Sequence, residues 1–173
     1  RATDVIRRVR DMLRRKEWSP QLLDANTLVQ EVAAVLASDS VLRNVTLSLD
    51  FASEPVPLHG NRIDLEQVLL NVVMNAMEAV ADRPVPQRIV LIQTRRHDHT
   101  VHVIVRDRGM GFSTSLEDTV FEPFVTTKGT GMGMGLAVAR SLIENHGGSI
   151  HASNDPDGGA VVTIALPALA LSQ

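Results

Sequence analysis

The sequence contains no cysteine among its 173 residues. A disulfide framework and a thiolate metal site are therefore both excluded. The chain also has no apolar run approaching the roughly 20 residues that a membrane-spanning helix needs. Because a chain of this length can bury a substantial core without covalent staples, we expect one domain with a short appendage.

Lysine is scarce as well, since only Lys16 and Lys128 among the seventeen basic residues are lysines. Residues 1–16 hold seven basic against two acidic residues, a net charge of +5. Such a segment is compatible with nucleic acid or a membrane surface. However, this pattern favours an amphipathic helix whose apolar face packs against a partner. The apolar residues that recur at helical spacing are Val5, Ile6, Val9, Met12 and Leu13. Because the chain begins at Arg1 and not at Met, we expect a piece of a longer protein.

Hydrophobic periodicity and breaker residues divide the rest of the chain into helices and strands. The predicted helices run from a cap at Asp24 or Asn26 to about Ala37, from Leu65 (opened by Asn61 or Asp64) to about Val80, and from Gly135 to about Asn145, before His146-Gly147-Gly148. The predicted strands are 45–51, 88–96, 100–107, 149–153 and 159–166, with a long loop at 109–130. This order predicts an α/β two-layer sandwich, in which a mixed, mainly antiparallel sheet of about five strands has about three helices on one face.

The second helix has an unusual polar face. Gln67, Asn71, Asn75 and Glu78 stack along one side at spacings of four, four and three. Asparagine is a poorer helix former than the residues typical of a solvated face. Two asparagines one turn apart therefore indicate that their amide oxygens are used, and such oxygens suit Mg²⁺. An ordinary polar face is the alternative.

A single carboxylate ends the strand over 100–107. Asp107 lies in phase with Val101, Val103 and Val105, so we expect it at the buried edge of the sheet, where it needs a donor. The exocyclic amino group of an adenine would satisfy it, and the following Gly109 and Gly111 would let a flat ligand approach the backbone. A turn-capping aspartate is the alternative.

A glycine strip precedes the third helix. Glycines at 129, 131, 133 and 135 alternate with other residues and then open the helix. The first turn of a helix attracts phosphate, and Lys128 adds a flexible positive charge. Three of the four phenylalanines, Phe112, Phe121 and Phe124, lie in or beside the long loop and would anchor it. A flexible hinge and a solvent-facing lysine are the alternatives.

In order and spacing these elements resemble the ATP-binding motifs of the GHKL superfamily, which includes histidine kinases, DNA gyrase, a mismatch-repair ATPase and a heat-shock chaperone. The four motifs are Asn71-Val-Val-Met-Asn75-Ala-Met-Glu78-Ala79, Asp107-Arg-Gly109-Met-Gly111, Phe121-Glu-Pro-Phe124 and Gly131-Met-Gly133-Met-Gly135-Leu136. The resemblance covers roughly residues 45–167. It is strongest to the catalytic domain of sensor histidine kinases of the nitrogen- and oxygen-sensing type, whose Phe-Val-Thr-Thr-Lys lid and His-Gly-Gly stop the chain shares.

The resemblance implies a fold with a mobile ATP lid and a role for each motif residue. Asp107 would bind the adenine amino group, with Gly111 under the ring and Gly109 as a further nucleotide-binding residue. Asn75 would ligate Mg²⁺, with Asn71 beside it, and Lys128 would act at the transferred phosphate. The remaining nucleotide-binding residues would be Glu78, Ala79, Thr126, Thr127, Gly129, Gly131, Met132, Gly133, Met134, Gly135 and Leu136.

The sequence departs from the kinase pattern in two ways. None of its six histidines lies in a phosphoacceptor motif. We therefore expect residues 1–16 to be the end of the second dimerisation helix, 17–44 a linker and first helix, and 45–173 the remainder of the catalytic domain. In addition, Ala160 stands where a threonine is usual, which puts one nucleotide contact in doubt.

The implied reaction moves the γ-phosphoryl group of ATP to a histidine on a dimerisation domain, then to an aspartate of a response regulator. We expect a cytoplasmic fragment that contacts neither nucleic acid nor membrane, in a homodimeric parent whose membrane attachment upstream is left open. A GHKL ATPase is the first alternative, but its relatives place a glutamate base where Asn71 stands, and an amide cannot accept a proton from water. A nucleotide-binding scaffold without catalysis is the second.

Overall fold

A computed structural model describes residues 19–113, 119–123 and 133–169. The predicted helix over residues 1–16 lies outside these ranges. The described elements are β1 Gln21–Asp24, α1 Ala25–Leu42, β2 Thr46–Asp50, β3 Pro57–Gly60, α2 Arg62–Ala79, a 3₁₀ turn Val85–Gln87, β4 Ile89–His97, β5 Thr100–Asp107, α3 Gly135–Asn145, β6 Ser149–Asn154 and β7 Ala160–Pro167. Among them, no helix has both the length and the apolar character to cross a bilayer.

The main sheet has five strands in the order β2-β4-β5-β7-β6. The pair β2–β4 is parallel and the other three pairs are antiparallel. Alternate residues of β4 and β5 are buried in the same core as the inner faces of the three helices. The predicted two-layer sandwich, with a mixed and mainly antiparallel sheet, is therefore confirmed.

Helix α1 begins where the sequence predicts. The Asp24 side chain accepts hydrogen bonds from the backbone N–H of Thr27 at 3.0 Å and of Val56 at 2.6 Å, so it caps α1 and also holds the residue that precedes β3. The predicted end near Ala37 is wrong, because the helix continues to Leu42. The buried face continues through Leu36 and Ser40, whose hydroxyl donates to a carbonyl one turn earlier and so leaves no unpaired polar group.

Two short strands were not predicted. Strands β1 and β3 form a separate antiparallel pair in which Gln21 lies opposite Gly60. Each has only four residues, which is too short for alternation to be seen, and β3 begins with a proline. Asp24, which leads into α1, lies opposite Pro57, and Gly60, which leads into α2, lies opposite Gln21, so the two helices begin at opposite ends of this strand pair.

Helices α2 and α3 are joined at one end by His146. Its Nε2 accepts a hydrogen bond from the backbone N–H of Asn61 at 3.0 Å, and its Nδ1 lies 2.7 Å from the carbonyl oxygen of Leu142, to which it donates. The Asn61 side chain in turn caps α2. Gly147 has φ of +71° and ends α3 with a left-handed residue, as the predicted stop requires.

We predict that His146→Ala lowers the free energy of unfolding by about 2 kcal/mol, because it leaves the buried N–H of Asn61 without its acceptor. His151→Ala is the matched control, since His151 is exposed on β6 and should change stability by no more than about 0.5 kcal/mol. Urea unfolding followed by circular dichroism measures both. Equal midpoints for the two variants would contradict the role given to His146.

Candidate functional site

The carboxylate of Asp107 is held at the end of β5. Asp107 is only 7% exposed, as its phase with the buried valines predicts. Its Oδ1 accepts hydrogen bonds from the backbone N–H of Gly109 at 2.8 Å and of Ala160 at 3.3 Å. A buried carboxylate needs such donors. These bonds join the end of β5 to the beginning of β7 and fix the carboxylate in one orientation.

Gly109 brings this carboxylate against the end of α2. A Cβ at Gly109 would lie 2.6 Å from the carbonyl oxygen of Ala79 and 2.8 Å from Oδ1 of Asp107, so no side chain fits there. Nη2 of Arg83 donates to the Gly109 carbonyl oxygen at 2.8 Å. The structure therefore brings together Asp107, Gly109 and Ala79, three of the residues that the sequence assigns to one site.

The turn between β6 and β7 packs against the same residues. Gly159 has φ of +97°, and a Cβ there would overlap the backbone carbonyl of Asp107. The next residue, Ala160, supplies its backbone N–H to Asp107 whatever its side chain is. This hydrogen bond therefore does not depend on the side chain at position 160, whereas the loss of a nucleotide contact there stays a prediction.

The polar face of α2 leads from Asp107 towards α3. Asn71, Asn75 and Glu78 are half-buried, between the buried inner face and the solvent. Nδ2 of Asn71 donates to the carbonyl oxygen of Gly135 at 3.1 Å and so ties α2 to the first residue of α3. The Asn75 amide makes no hydrogen bond to any described residue, although it lies one turn from Asn71. An amide in this position is available to a ligand.

The first turn of α3 lies beside Asn71. Gly133 has φ of +62°, and Met134 precedes the helix without a capping side chain. The backbone N–H groups of an uncapped first turn attract an anion. Gly133, Met134, Gly135 and Leu136 are thus placed together at one end of α3, on the Asn71 side of α2.

The long loop is described only in part. Phe121 is buried and Phe112 packs against the core, as expected of anchors, whereas Phe124 lies outside the described residues. Also outside them are the predicted site residues Thr126, Thr127, Lys128, Gly129, Gly131 and Met132. Their roles stay predictions.

Three site residues were missed by the sequence analysis, namely Arg83, Asn154 and Gly159. The amide of Asn154 bonds to both backbone groups of Phe112, and the other two contact Gly109 and Asp107. An asparagine before Asp-Pro-Asp-Gly-Gly is typical of a turn. Nothing local in the sequence connects that turn to Asp107, which lies more than forty residues earlier.

A separate groove lies at the far end of β4. It has a volume of about 400 Å³ and is lined by residues 50–56 with Arg95 and Arg96. Asp107 pairs with Val90 in the sheet. The groove is thus about five residues, or roughly 17 Å, from Asp107 along the strand. None of the predicted site residues lines it.

Solved structures resemble this fold closely. The nucleotide-free catalytic domain of histidine kinase ThkA superposes with a TM-score of 0.77 at 29% identity, over 86% of this chain and 95% of that one. ThkA in complex with the response regulator protein TrrA superposes with a TM-score of 0.81, over 97% of this chain and 47% of that one. The sequence identity is 24%, so this second similarity is one of fold alone. The fold is that of histidine kinase catalytic domains, the GHKL type.

Sequence comparison gives the family. The model described as histidine kinase-, DNA gyrase B-, and HSP90-like ATPase matches residues 60–170. The chain belongs to this family, which confirms the resemblance drawn from the four motifs. The chain is 37% identical to the sensor protein FixL of Bradyrhizobium diazoefficiens over 170 residues. This alignment covers 97% of this chain and 33% of FixL.

Other relatives are also sensor kinases. The histidine-protein kinase AtoS of Escherichia coli is 34% identical over 155 residues, covering 89% of this chain and 24% of that protein. The chain spans about a quarter to a third of the length of these curated relatives and of others that it matches.

We predict that Gly159→Ala weakens ATP binding roughly tenfold or more, about 1.4 kcal/mol, because the added methyl group displaces Asp107. Gly158→Ala is a matched control, since Gly158 has φ of +96° but no atom within 4 Å of an added Cβ. Both variants carry the same backbone strain of about 1–3 kcal/mol. Only the first should change the dissociation constant, measured by calorimetry. Equal affinities would show that the close approach does not position Asp107.

Proposed function

We propose that this chain binds Mg²⁺-ATP and transfers the γ-phosphoryl group to a histidine on a separate dimerisation domain. A response regulator aspartate then receives the group. The observation that carries the proposal is the buried Asp107 carboxylate, held by two backbone N–H groups beside a glycine that admits no side chain. Membership of the family and the sensor-kinase relatives support the same reading.

The adenine end of the site is built from Asp107 and the loop that follows it. Both fixed hydrogen bonds reach Oδ1, so the orientation of the carboxylate is set before a ligand arrives. A carboxylate accepts hydrogen bonds only. It therefore suits the exocyclic amino group of adenine and repels the carbonyl oxygen that guanine carries at the equivalent position.

The phosphate end is built from α2 and the first turn of α3. The Asn75 amide, without a partner among the described residues, fits Mg²⁺, and Asn71 lies one turn away beside Gly135. No cluster of three acidic, histidine or cysteine side chains occurs in the part of the chain that the structure describes, so phosphate oxygens and water would complete the coordination. When bound, Mg²⁺ neutralises charge on the phosphates. We propose Thr126, Thr127 and Lys128 as the residues that close over them.

Asn71 favours phosphoryl transfer over hydrolysis. Its amide donates to the Gly135 carbonyl and has no group that accepts a proton from water at neutral pH. A neutral imidazole is already a nucleophile, so transfer to histidine needs no base at this position.

The partners proposed for the whole protein come from its relatives. ThkA has been solved with the response regulator TrrA, and we propose a response regulator as the final acceptor here. We also propose residues 1–16 as the end of a dimerisation helix, consistent with their apolar stripe. A cytoplasmic location stays a prediction.

We predict that Asp107→Asn weakens ATP binding by about 10- to 100-fold, or 1.4–2.8 kcal/mol. The amide keeps one oxygen for Gly109 and Ala160 but puts an NH₂ group where the adenine amino group would donate. Asp82→Asn is the control, because Asp82 is exposed beyond the end of α2. Calorimetric titration with ATP measures both, and equal affinities for Asp107→Asn and the wild type would remove Asp107 from the adenine site.

The proposed reaction is tested by mixing the chain, Mg²⁺ and γ-labelled ATP with a separate dimerisation domain of the parent protein. We expect label on the histidine of that domain, reduced roughly a hundredfold by Asn75→Ala. Asn145→Ala, exposed at the end of α3, should leave it unchanged. Free phosphate released at a rate that Asn71→Ala abolishes would indicate a hydrolase. Tight ATP binding without transfer would indicate a scaffold.

A further inference from the structure

Asn154, the last residue of β6, binds the loop that follows Asp107. Its Oδ1 accepts a hydrogen bond from the backbone N–H of Phe112 at 2.7 Å, and its Nδ2 donates to the Phe112 carbonyl oxygen at 2.9 Å. One side-chain amide thus satisfies both backbone groups of a single residue, as a neighbouring strand does in a sheet. Asn154 and Phe112 are 42 residues apart in the chain.

The same side chain lies directly against Gly111. This glycine has φ of +74°, and a Cβ built on it would overlap Oδ1 of Asn154. The Asn154 side chain therefore packs directly against the Gly111 backbone. The Gly159 carbonyl oxygen, 3.0 Å from that Cβ position, completes the support.

The loop Gly109–Phe112 is held at both ends. Arg83 bonds to the carbonyl of Gly109 at one end, and Asn154 bonds to Phe112 at the other. The Arg106–Asp155 ion pair, at 2.7 Å, ties β5 to the residue after Asn154. A loop whose polar backbone groups are already satisfied loses less conformational entropy when a ligand binds to it.

We propose that Asn154 is a positioning residue for the nucleotide base. It holds Gly111 and Phe112 in the conformation that leaves a flat space beside the Asp107 carboxylate, and so it determines the preference for adenine over guanine. This inference rests on the proposed function, because it assumes that the base lies on this loop. Asn154 acts through the loop and not by contact with the nucleotide.

A purely structural role for Asn154 makes a different prediction. Loss of packing alone would lower stability and weaken ATP and GTP binding by similar factors. Loss of positioning weakens the binding of ATP, whose base pairs with Asp107. It leaves the binding of GTP, which depends on the phosphate end, nearly unchanged. The ratio of the two dissociation constants therefore separates the two roles.

The test measures the dissociation constants of ATP, ADP and GTP for the 173-residue chain and its variants. Asn154→Ala removes both hydrogen bonds to Phe112. Asn154→Asp keeps the acceptor for the Phe112 N–H but places an oxygen against the Phe112 carbonyl. We expect ATP and ADP binding to weaken by about tenfold in both variants, with GTP binding within twofold of the wild type. Ser153→Ala, exposed on the same strand, is the matched control and should bind like the wild type.

An unchanged ratio of ATP to GTP affinity in both variants would overturn the role of Asn154. If the wild-type chain bound no ATP at all, the proposed function would fail instead, so the two failures are distinguishable. If neither variant folds, the role of Asn154 can still be tested by a measurement on the wild-type chain. Hydrogen exchange should show the Phe112 amide already protected without nucleotide, whereas exchange as fast as in an open loop would overturn the inference.

Discussion

The hydrogen bonds between the Asp107 carboxylate and two backbone N–H groups are the interaction on which the site depends. A charge that is 7% exposed is tolerated only when donors satisfy it, and the donors come from Gly109 and Ala160. They bind together the end of β5, the beginning of β7 and the loop between β5 and α3. Because Gly109 also abuts Ala79, the same carboxylate fixes where α2 ends relative to the sheet.

Helix α2 carries the rest of the arrangement along its length. Its beginning is joined to the end of α3 through His146 and Asn61, its middle to the start of α3 through Asn71 and Gly135, and its end to the Asp107 loop. The two helices therefore lie antiparallel, with the uncapped first turn of α3 facing the asparagines. The proposed nucleotide, with its base at Asp107 and its phosphates at α3, would lie along α2 beside the half-buried side chains of Asn71, Asn75 and Glu78.

The sequence predicts well the features that depend on local pattern. Alternation predicted the five strands of the main sheet. For each of two helices the sequence offered two candidate caps, Asp24 or Asn26 and Asn61 or Asp64, and the first of each pair is the cap, which is a contact between near neighbours. Because Asp107 lies on the same face of the strand as three valines, its burial was also predicted correctly. The same local reasoning failed for the end of α1 and for β1 and β3, where four residues are too few to show a period.

Contacts between distant parts of the chain were beyond this reasoning. Arg83 and Asn154 bond to opposite ends of the loop Gly109–Phe112, and neither residue type in its own surroundings indicates that partner. His146 was predicted as a helix stop, yet its bond to Asn61 spans 85 residues. Such contacts depend on how distant elements pack together, which the pattern along each element does not reveal.

The most direct test of the account is a titration of the isotope-labelled chain with Mg²⁺-ADP, followed by ¹H–¹⁵N correlation spectra. We predict the largest shifts at the backbone amides of Gly109, Gly111 and Ala160 and at the side-chain amides of Asn71 and Asn75. The amides of residues 52–56, in the groove at the far end of β4, should not move. Shifts centred on that groove, with those of Gly109 and Ala160 unchanged, would contradict the placement of the nucleotide at Asp107.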